Sequence, residues 1–248
     1  MKTVIVTGAS RGLGRAVVLE LNRRGAAVVA TARSTEALAT LAEDLDNVTT
    51  VVGDIGSEST RRQVVEAALR RDGRIDGLVN NAAVLDPIAR SADAEADPWA
   101  DHLAINVVAP IHLTALALPH LRESKGRVIN ISSGAAVRPL EGWGAYCTAK
   151  AALKMATEVL AEEEPGITAI SLRPGVVDTA MQATIRSDGR EVMGAEGHDR
   201  FIRLHEKGEL LDPSVPGAAI AALALHAPTS MSGDFVQWDA PEVQALIG

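Results

Sequence analysis

Val4-Ile5-Val6-Thr7-Gly8-Ala9-Ser10-Arg11-Gly12-Leu13-Gly14 is the stretch that decides the fold. Three apolar, strand-forming residues run into a glycine-rich turn, and a helical pattern begins directly after it. A strand, such a turn and a helix N-terminus make a site for pyrophosphate. Backbone N–H groups and the helix dipole face the anion, and glycine lets the backbone come close to it. The spacing is G-x-x-x-G-x-G, on Gly8, Gly12 and Gly14, rather than the commoner G-x-G-x-x-G. Taken alone, the turn serves either close packing or a dinucleotide held along Gly8, Ser10, Arg11, Gly12, Leu13 and Gly14. Its place at the first strand–helix junction favours the dinucleotide.

The same rhythm continues outward. Val4–Val6, Ala27–Ala30, Thr49–Val52, Gly77–Val79, Val128–Ile131 and Ile167–Leu172 read as strands. Amphipathic stretches such as Arg15–Arg24, Thr35–Leu45 and Ser59–Arg71 lie between them. Strand and helix alternating in this way predict an α/β fold with a doubly wound parallel sheet and right-handed crossovers. Neither a linker nor a repeat divides the chain, so residues 1–248 read as a single domain. Residues 184–208 lack the rhythm and carry Gly189, Gly194, Gly197 and Gly208 among many charges. They read as a loop, either a plain surface insertion or a mobile substrate cover.

Composition narrows the function. Hydrophobic residues are 47% but aromatics only 2%, so aliphatic side chains fill the core, as buried parallel strands require. A net charge of -8 argues against nucleic-acid binding, while leaving room for an anionic cofactor held by a few local arginines. Cys147 is the one cysteine; an inert small residue there is favoured over a reactive thiol. The six histidines show no metal-ligand spacing, and no metal site is expected. The first residues enter a strand at once, and no apolar stretch approaches the ~20 residues of a membrane span. The chain is read as soluble and cytoplasmic, away from membranes.

The second strand ends Ala30-Thr31-Ala32-Arg33-Ser34, with no acid before Glu36. An acid there holds the 2′-hydroxyl of NAD, whereas arginine suits the 2′-phosphate of NADP. Arg33 and Arg11 are either that phosphate grip or two solvated surface residues; the missing acid favours NADP(H). After the third strand, Asp54, with Ile55 beside it, either accepts from an adenine amino group or caps a turn. In Asn80-Asn81-Ala82-Ala83, Asn81 and Ala82 admit a cofactor ribose, or the asparagines tie neighbouring strands together.

Tyr146, the chain's single tyrosine, opens a helix in Tyr146-Cys147-Thr148-Ala149-Lys150. Positions i and i+4 share a helix face, so Lys150 lies beside it. A phenol titrates near ~10, and an ammonium close by is expected to pull that value down toward the working range of a general acid. Ser132 and Ser133 end the strand at the sheet edge where open α/β folds bind ligands, and a hydroxyl there can hold a substrate oxygen. Pro110 has no N–H for the carbonyl four residues back, that of Asn106. The freed carbonyl either holds a water that resupplies protons through Lys150 or merely marks a kink.

These residues together resemble the short-chain dehydrogenase/reductase family along essentially the whole chain. The resemblance implies a Rossmann-type single domain with about seven strands, commonly dimeric or tetrameric. It implies catalytic roles for Asn106, Ser133, Tyr146 and Lys150, and it selects Ser133 because the family's serine lies thirteen residues before its tyrosine. Lys150 would also bind the nicotinamide ribose. Pro174-Gly175-Val176-Val177-Asp178-Thr179 matches the family's segment after the sixth strand, where the threonine holds the carboxamide; Pro174, Val177 and Thr179 thus join the cofactor site.

The second half is most similar to sepiapterin reductases and microbial benzil-type diketone reductases, a sub-group that uses NADPH. The matching runs are Glu141–Cys147, Glu163–Gly166, Asp178–Gln182 and Glu206–Asp212. Gln237 stands where sepiapterin reductases place a pterin-anchoring aspartate, with Asp234 and Asp239 close by, and Ala180 replaces another sub-group aspartate. These departures argue against a pterin and for a smaller or apolar α-dicarbonyl. The expectation is therefore an NADPH-dependent carbonyl reductase, with Trp143, Met181 and the 184–208 segment shaping the pocket. Two rivals remain: an NADP-dependent alcohol dehydrogenase working oxidatively, and a non-catalytic NADPH-binding sensor.

Overall fold

The computed structural model describes residues 1–247. Seven strands, all parallel, form one sheet in the order β3-β2-β1-β4-β5-β6-β7. They are β1 (Thr3–Thr7), β2 (Ala27–Ala32), β3 (Val48–Val52), β4 (Gly77–Asn80), β5 (Arg127–Ile131), β6 (Thr168–Arg173) and β7 (Phe235–Gln237). The chain starts at β1, moves outward to β3, then returns past β1 to β4. That reversal opens a crevice beyond the C-terminal ends of β1 and β4.

Ten α-helices complete the described residues: α1 (Gly12–Arg23), α2 (Thr35–Glu43), α3 (Glu58–Asp72), α4 (Ala96–Leu103), α5 (Ala109–Ser124), α6 (Gly144–Glu163), α7 (Ala180–Asp188), α8 (Gly194–Glu206), α9 (Ser214–His226) and α10 (Pro241–Gln244). One face of the sheet is covered by α1, α2 and α9 through Val17, Leu21, Leu38, Leu41 and Ile220. The other is covered mainly by α3 and α5 through Val64, Leu113 and Leu121, with α6 alongside. With both faces covered, β1 is buried at every position, in keeping with its unbroken apolar centre Val4–Val6 between Thr3 and Thr7. α9 buries most of its circumference, so it shows no polar stripe.

Three sequence expectations change. β7 is a strand of three residues, too short to show a period. The 184–208 segment is no irregular loop: it comprises the end of α7, a short link and α8. Most of its charged residues are exposed while Ile185, Met193 and Phe201 are buried. Lastly, α4, a π turn at Ala104–Val108 and α5 form one helical run, Ala96–Ser124, of 29 residues, long and apolar enough to cross a membrane by length and composition. No single apolar block betrays it, because His102, Asn106, His112 and Thr114 are spaced through it. In this fold the run packs on the sheet and α3 and carries His102 and Asn106 to the crevice wall. The π turn sits where the sequence predicts a defect. Pro110 gives no N–H, and the Ala109 N–H reaches five residues back to the Ala104 carbonyl.

Candidate active site

The crevice is a cleft of about 1640 Å³. Of the residues predicted for the site, all line it except Asn106, which is buried behind its wall. The glycine turn is bare backbone pressed against the β4 tip. A Cβ on Gly14 would lie 2.1 Å from the Gly8 carbonyl oxygen, so a side chain there requires the turn to move. Gly12 has φ +53, and a Cβ on it would lie 3.1 Å from Thr179 Cγ2. The turn and the segment after β6 are therefore in direct contact here, and both line the cleft. This cradle, at the first turn of α1, fits the pyrophosphate of a dinucleotide.

Asn81 locks the arrangement. Its Nδ2 donates to the Thr7 carbonyl at 2.9 Å, and its N–H donates to Thr7 Oγ1 at 3.0 Å. Ala82 and Ile55 line the cleft beside it, as do Ser10 and Leu13. Arg11 and Arg33 line its outer end, both exposed. Asp54 closes a turn, its Oδ1 accepting from the Gly56 N–H at 2.8 Å, and also borders the cleft. Sequence reading missed what supports that turn: buried Arg61 donates to the Ile55 and Gly56 carbonyls at 2.7 and 2.9 Å.

Tyr146 and Lys150 share one face of α6, as their spacing requires, and both are buried. Lys150 Nζ lies 5.4 Å from the centroid of the phenol ring and donates to the Ile131 carbonyl at 2.7 Å. Ser133 faces the phenol, while Ser132 Oγ is buried without a partner. Ser133 Oγ also accepts from the Ala135 N–H at 3.1 Å, which fixes its rotamer.

The electrostatics differ from the expectation of an acidified phenol. Burial pushes Tyr146 up to about 12; the Ser133 hydroxyl opposes this and Cys147 adds to it. Burial also pushes Lys150 down to about 8. Loss of water therefore dominates at both groups; the Lys150 ammonium is tethered to a β5 carbonyl and lies over the ring. The arrangement holds a protonated phenol at neutral pH, which is the form a proton donor needs.

Asn106 is engaged through its side chain. Its Oδ1 accepts from the Val84 N–H at 2.9 Å, and its Nδ2 donates to the Val84 carbonyl at 2.8 Å and to His102 Nε2 at 2.7 Å. His102 escaped sequence reading, although its place one helical turn before Asn106 was a usable signal. On the substrate side, Trp143 stacks on Phe201 with centroids 5.5 Å apart and meets Tyr146 edge-on at 5.5 Å. Its indole N–H donates to Met193 Sδ at 3.2 Å. The α7–α8 pair is thereby docked on the residue three before Tyr146. Met181, Gln237, Trp238 and Asp239 complete this end of the cleft, so the carboxylate beside Gln237 that reaches it is Asp239. Burial raises the Cys147 thiol, which lies outside the main cleft.

Comparison with known proteins places these features. A model of the short chain dehydrogenase family matches residues 2–190. An uncharacterized oxidoreductase of Schizosaccharomyces pombe is 39% identical, covering 96% of each chain. A benzil reductase ((S)-benzoin forming) of Bacillus cereus is 36% identical over 90% of this chain and 94% of its own. A sepiapterin reductase of Meriones unguiculatus is 35% identical over 94% and 95%. Among solved structures, a short chain dehydrogenase/reductase from Saccharomyces cerevisiae superimposes with a TM-score of 0.97 at 38% identity over 100% of both chains. A 3-ketoacyl-(acyl-carrier-protein) reductase from Brucella melitensis complexed with NADH gives 0.84 at 26% identity over 98% of both.

Proposed function

Since this chain belongs to the short-chain dehydrogenase family, we propose that it reduces ketones and α-dicarbonyl compounds with NADPH, Tyr146 giving the proton. One observation carries the reading: a glycine cradle at Gly8–Gly14 and a buried phenol beside Ser133 and Lys150 open into the same cleft.

NADPH, when bound, would supply hydride to the carbonyl carbon. Arg11 and Arg33 would hold its 2′-phosphate, and Thr179 and Lys150 its nicotinamide end. Ser133 and Tyr146 donate hydrogen bonds to the substrate oxygen, and Tyr146 passes its proton to that oxygen as negative charge develops. Trp143, Met181 and the α7–α8 pair cover the substrate within one domain and exclude water.

NADPH rather than NADH rests on the two arginines and the absence of an acid at the β2 tip; the Brucella neighbour itself carries NADH. A diketone rests on the benzil reductase relatives, and a pterin is disfavoured by Gln237. The Tyr146–Lys150 pair favours an enzyme over a sensor. The same residues serve the oxidative direction, which the NADP/NADPH ratio sets. We place the protein in the cytoplasm, where its lone cysteine needs no partner.

The test is NADPH and NADH oxidation with a panel of α-diketones, simple ketones and pterins. Diketones with NADPH should give the highest kcat/KM. That rate should fall above pH 8, about tenfold per unit, as Lys150 loses its charge. Cofactor binding without turnover of any carbonyl would favour the sensor and sink the reading.

We also propose self-association as a homodimer or homotetramer. The π turn, α5 and α6 lie on one side of the sheet and expose Val108, Ile111, Met155 and Val159, an apolar face of the kind interfaces cover. Met155→Asp should reduce the mass measured by light scattering to that of a smaller species. A wild-type protein that is monomeric at micromolar concentration would refute the assignment.

A further inference from the structure

His102 is 1% exposed, and both its ring nitrogens are engaged. Nδ1 lies 2.6 Å from the Asp86 carbonyl oxygen, and Nε2 lies 2.7 Å from Asn106 Nδ2. The partners fix the tautomer. A carbonyl can only accept, so Nδ1 carries the hydrogen. The Val84 N–H needs an acceptor, so the Asn106 oxygen must face it and the Asn106 amine must face both the Val84 carbonyl and His102. Nε2 is therefore the acceptor, and the imidazole is neutral.

Together, His102 and Asn106 bond residues 84 and 86, alternate positions of an extended segment. This reproduces with side chains what a neighbouring strand would do with its backbone. Leu85, between them, is buried in the cluster that contains Tyr146 and Trp143. The imidazole itself meets the Tyr146 ring edge-on, with centroids 6.2 Å apart.

We propose that His102 is a positioning residue for the reduction: its neutral ring and Asn106 clamp residues 84–86 and so press Leu85 and the cleft wall against Tyr146. The role rests on the reductase reading above. The clamp has a built-in acid sensitivity. Protonation at Nε2 turns the acceptor into a donor facing the Asn106 N–H groups, and the clamp opens. The charged groups facing the ring are Lys150 on α6, which disfavours a second positive charge, and Asp86 on the loop, which favours it; Asp101 on its own helix is exposed. Burial is the largest influence and holds the ring neutral to below 6.5.

Three variants separate the two bonds. His102→Gln keeps an acceptor toward Asn106, His102→Asn keeps a donor toward Asp86, and His102→Leu keeps neither. His102→Leu is expected to lose about 10-fold in kcat, with NADPH affinity unchanged. His102→Gln should recover to within about 3-fold of wild type and lose the acid limb of the kcat profile, since nothing at that position titrates. His102→Asn should resemble the leucine variant. Full kcat in His102→Leu overturns the proposal, as does an unaltered acid limb in a folded His102→Gln. The imidazole ¹⁵N spectrum of the wild type reads the clamp without substrate: a neutral Nδ1–H tautomer at pH 7 is expected, and Nε2–H or a cation overturns it. A protein showing that tautomer but reducing no carbonyl would defeat the reductase reading alone.

Discussion

Tyr146→Phe is expected to lower kcat for carbonyl reduction by about 10²–10⁴-fold, the usual range for removing a general acid. Cofactor affinity should stay close to wild type. Phenylalanine keeps the ring, and with it the edge-on contact to Trp143 at 5.5 Å and the cation 5.4 Å from its centroid. Only the hydroxyl goes, leaving Ser133 facing an apolar edge. Because burial holds the phenol at about 12, the group lost is a protonated donor at neutral pH. Ser133 cannot replace it, since an aliphatic hydroxyl is a far weaker acid. Steady-state NADPH oxidation with a diketone gives kcat, and fluorescence titration gives the cofactor affinity. A wild-type rate in Tyr146→Phe would remove the tyrosine from the chemistry.

The second large effect concerns the cofactor. Arg11→Ser combined with Arg33→Asp should reduce the ratio of kcat/KM for NADPH over NADH on the order of 10²-fold. A charge-assisted hydrogen bond contributes about 1.5–3 kcal/mol, but solvent screening cuts exposed pairs toward ~1 kcal/mol. Both arginines are exposed, so about 2–3 kcal/mol together is the reasonable sum, and 1.4 kcal/mol corresponds to tenfold. The new aspartate should also accept from the 2′-hydroxyl of NADH and repel the phosphate. In the wild type, KM for NADPH should rise with salt more steeply than KM for NADH. An unchanged ratio in the double variant would show that the phosphate is held elsewhere.

Much of this was legible because buried parallel strands and a glycine turn impose strict local chemistry. Val4–Val6 and the turn after it have few alternative folds, and i to i+4 spacing places Lys150 beside Tyr146 in any helix. What escaped depends on non-local contacts. β7 is a strand only because β6 offers it an edge. The 184–208 segment is helical because Ile185, Met193 and Phe201 find Trp143, and no local period among so many charges announces that. The direction of the Tyr146 shift was misjudged because spacing shows that a cation is near but not that water is absent. His102 and Arg61 gain meaning only when their carbonyl partners, distant in sequence, are in place.

Asn80, Asn130 and Ser171 occupy one row across β4, β5 and β6. Asn80 donates to Asn130 at 2.8 Å; Thr157 of α6 accepts from Asn130 and lies 2.9 Å from Ser171 Oγ. Strands buried on both faces lack the alternation of apolar and polar positions that ordinarily resists slippage. The row supplies the missing vernier. Sliding β5 by one residue would turn the Asn130 amide to the opposite, aliphatic side of the sheet and leave Asn80 and Thr157 without it, at about 1–3 kcal/mol for each orphaned group. The central strands thus have one alignment that satisfies every polar partner, and the C-terminal edge carrying Ser133 is set to within a residue before any ligand arrives.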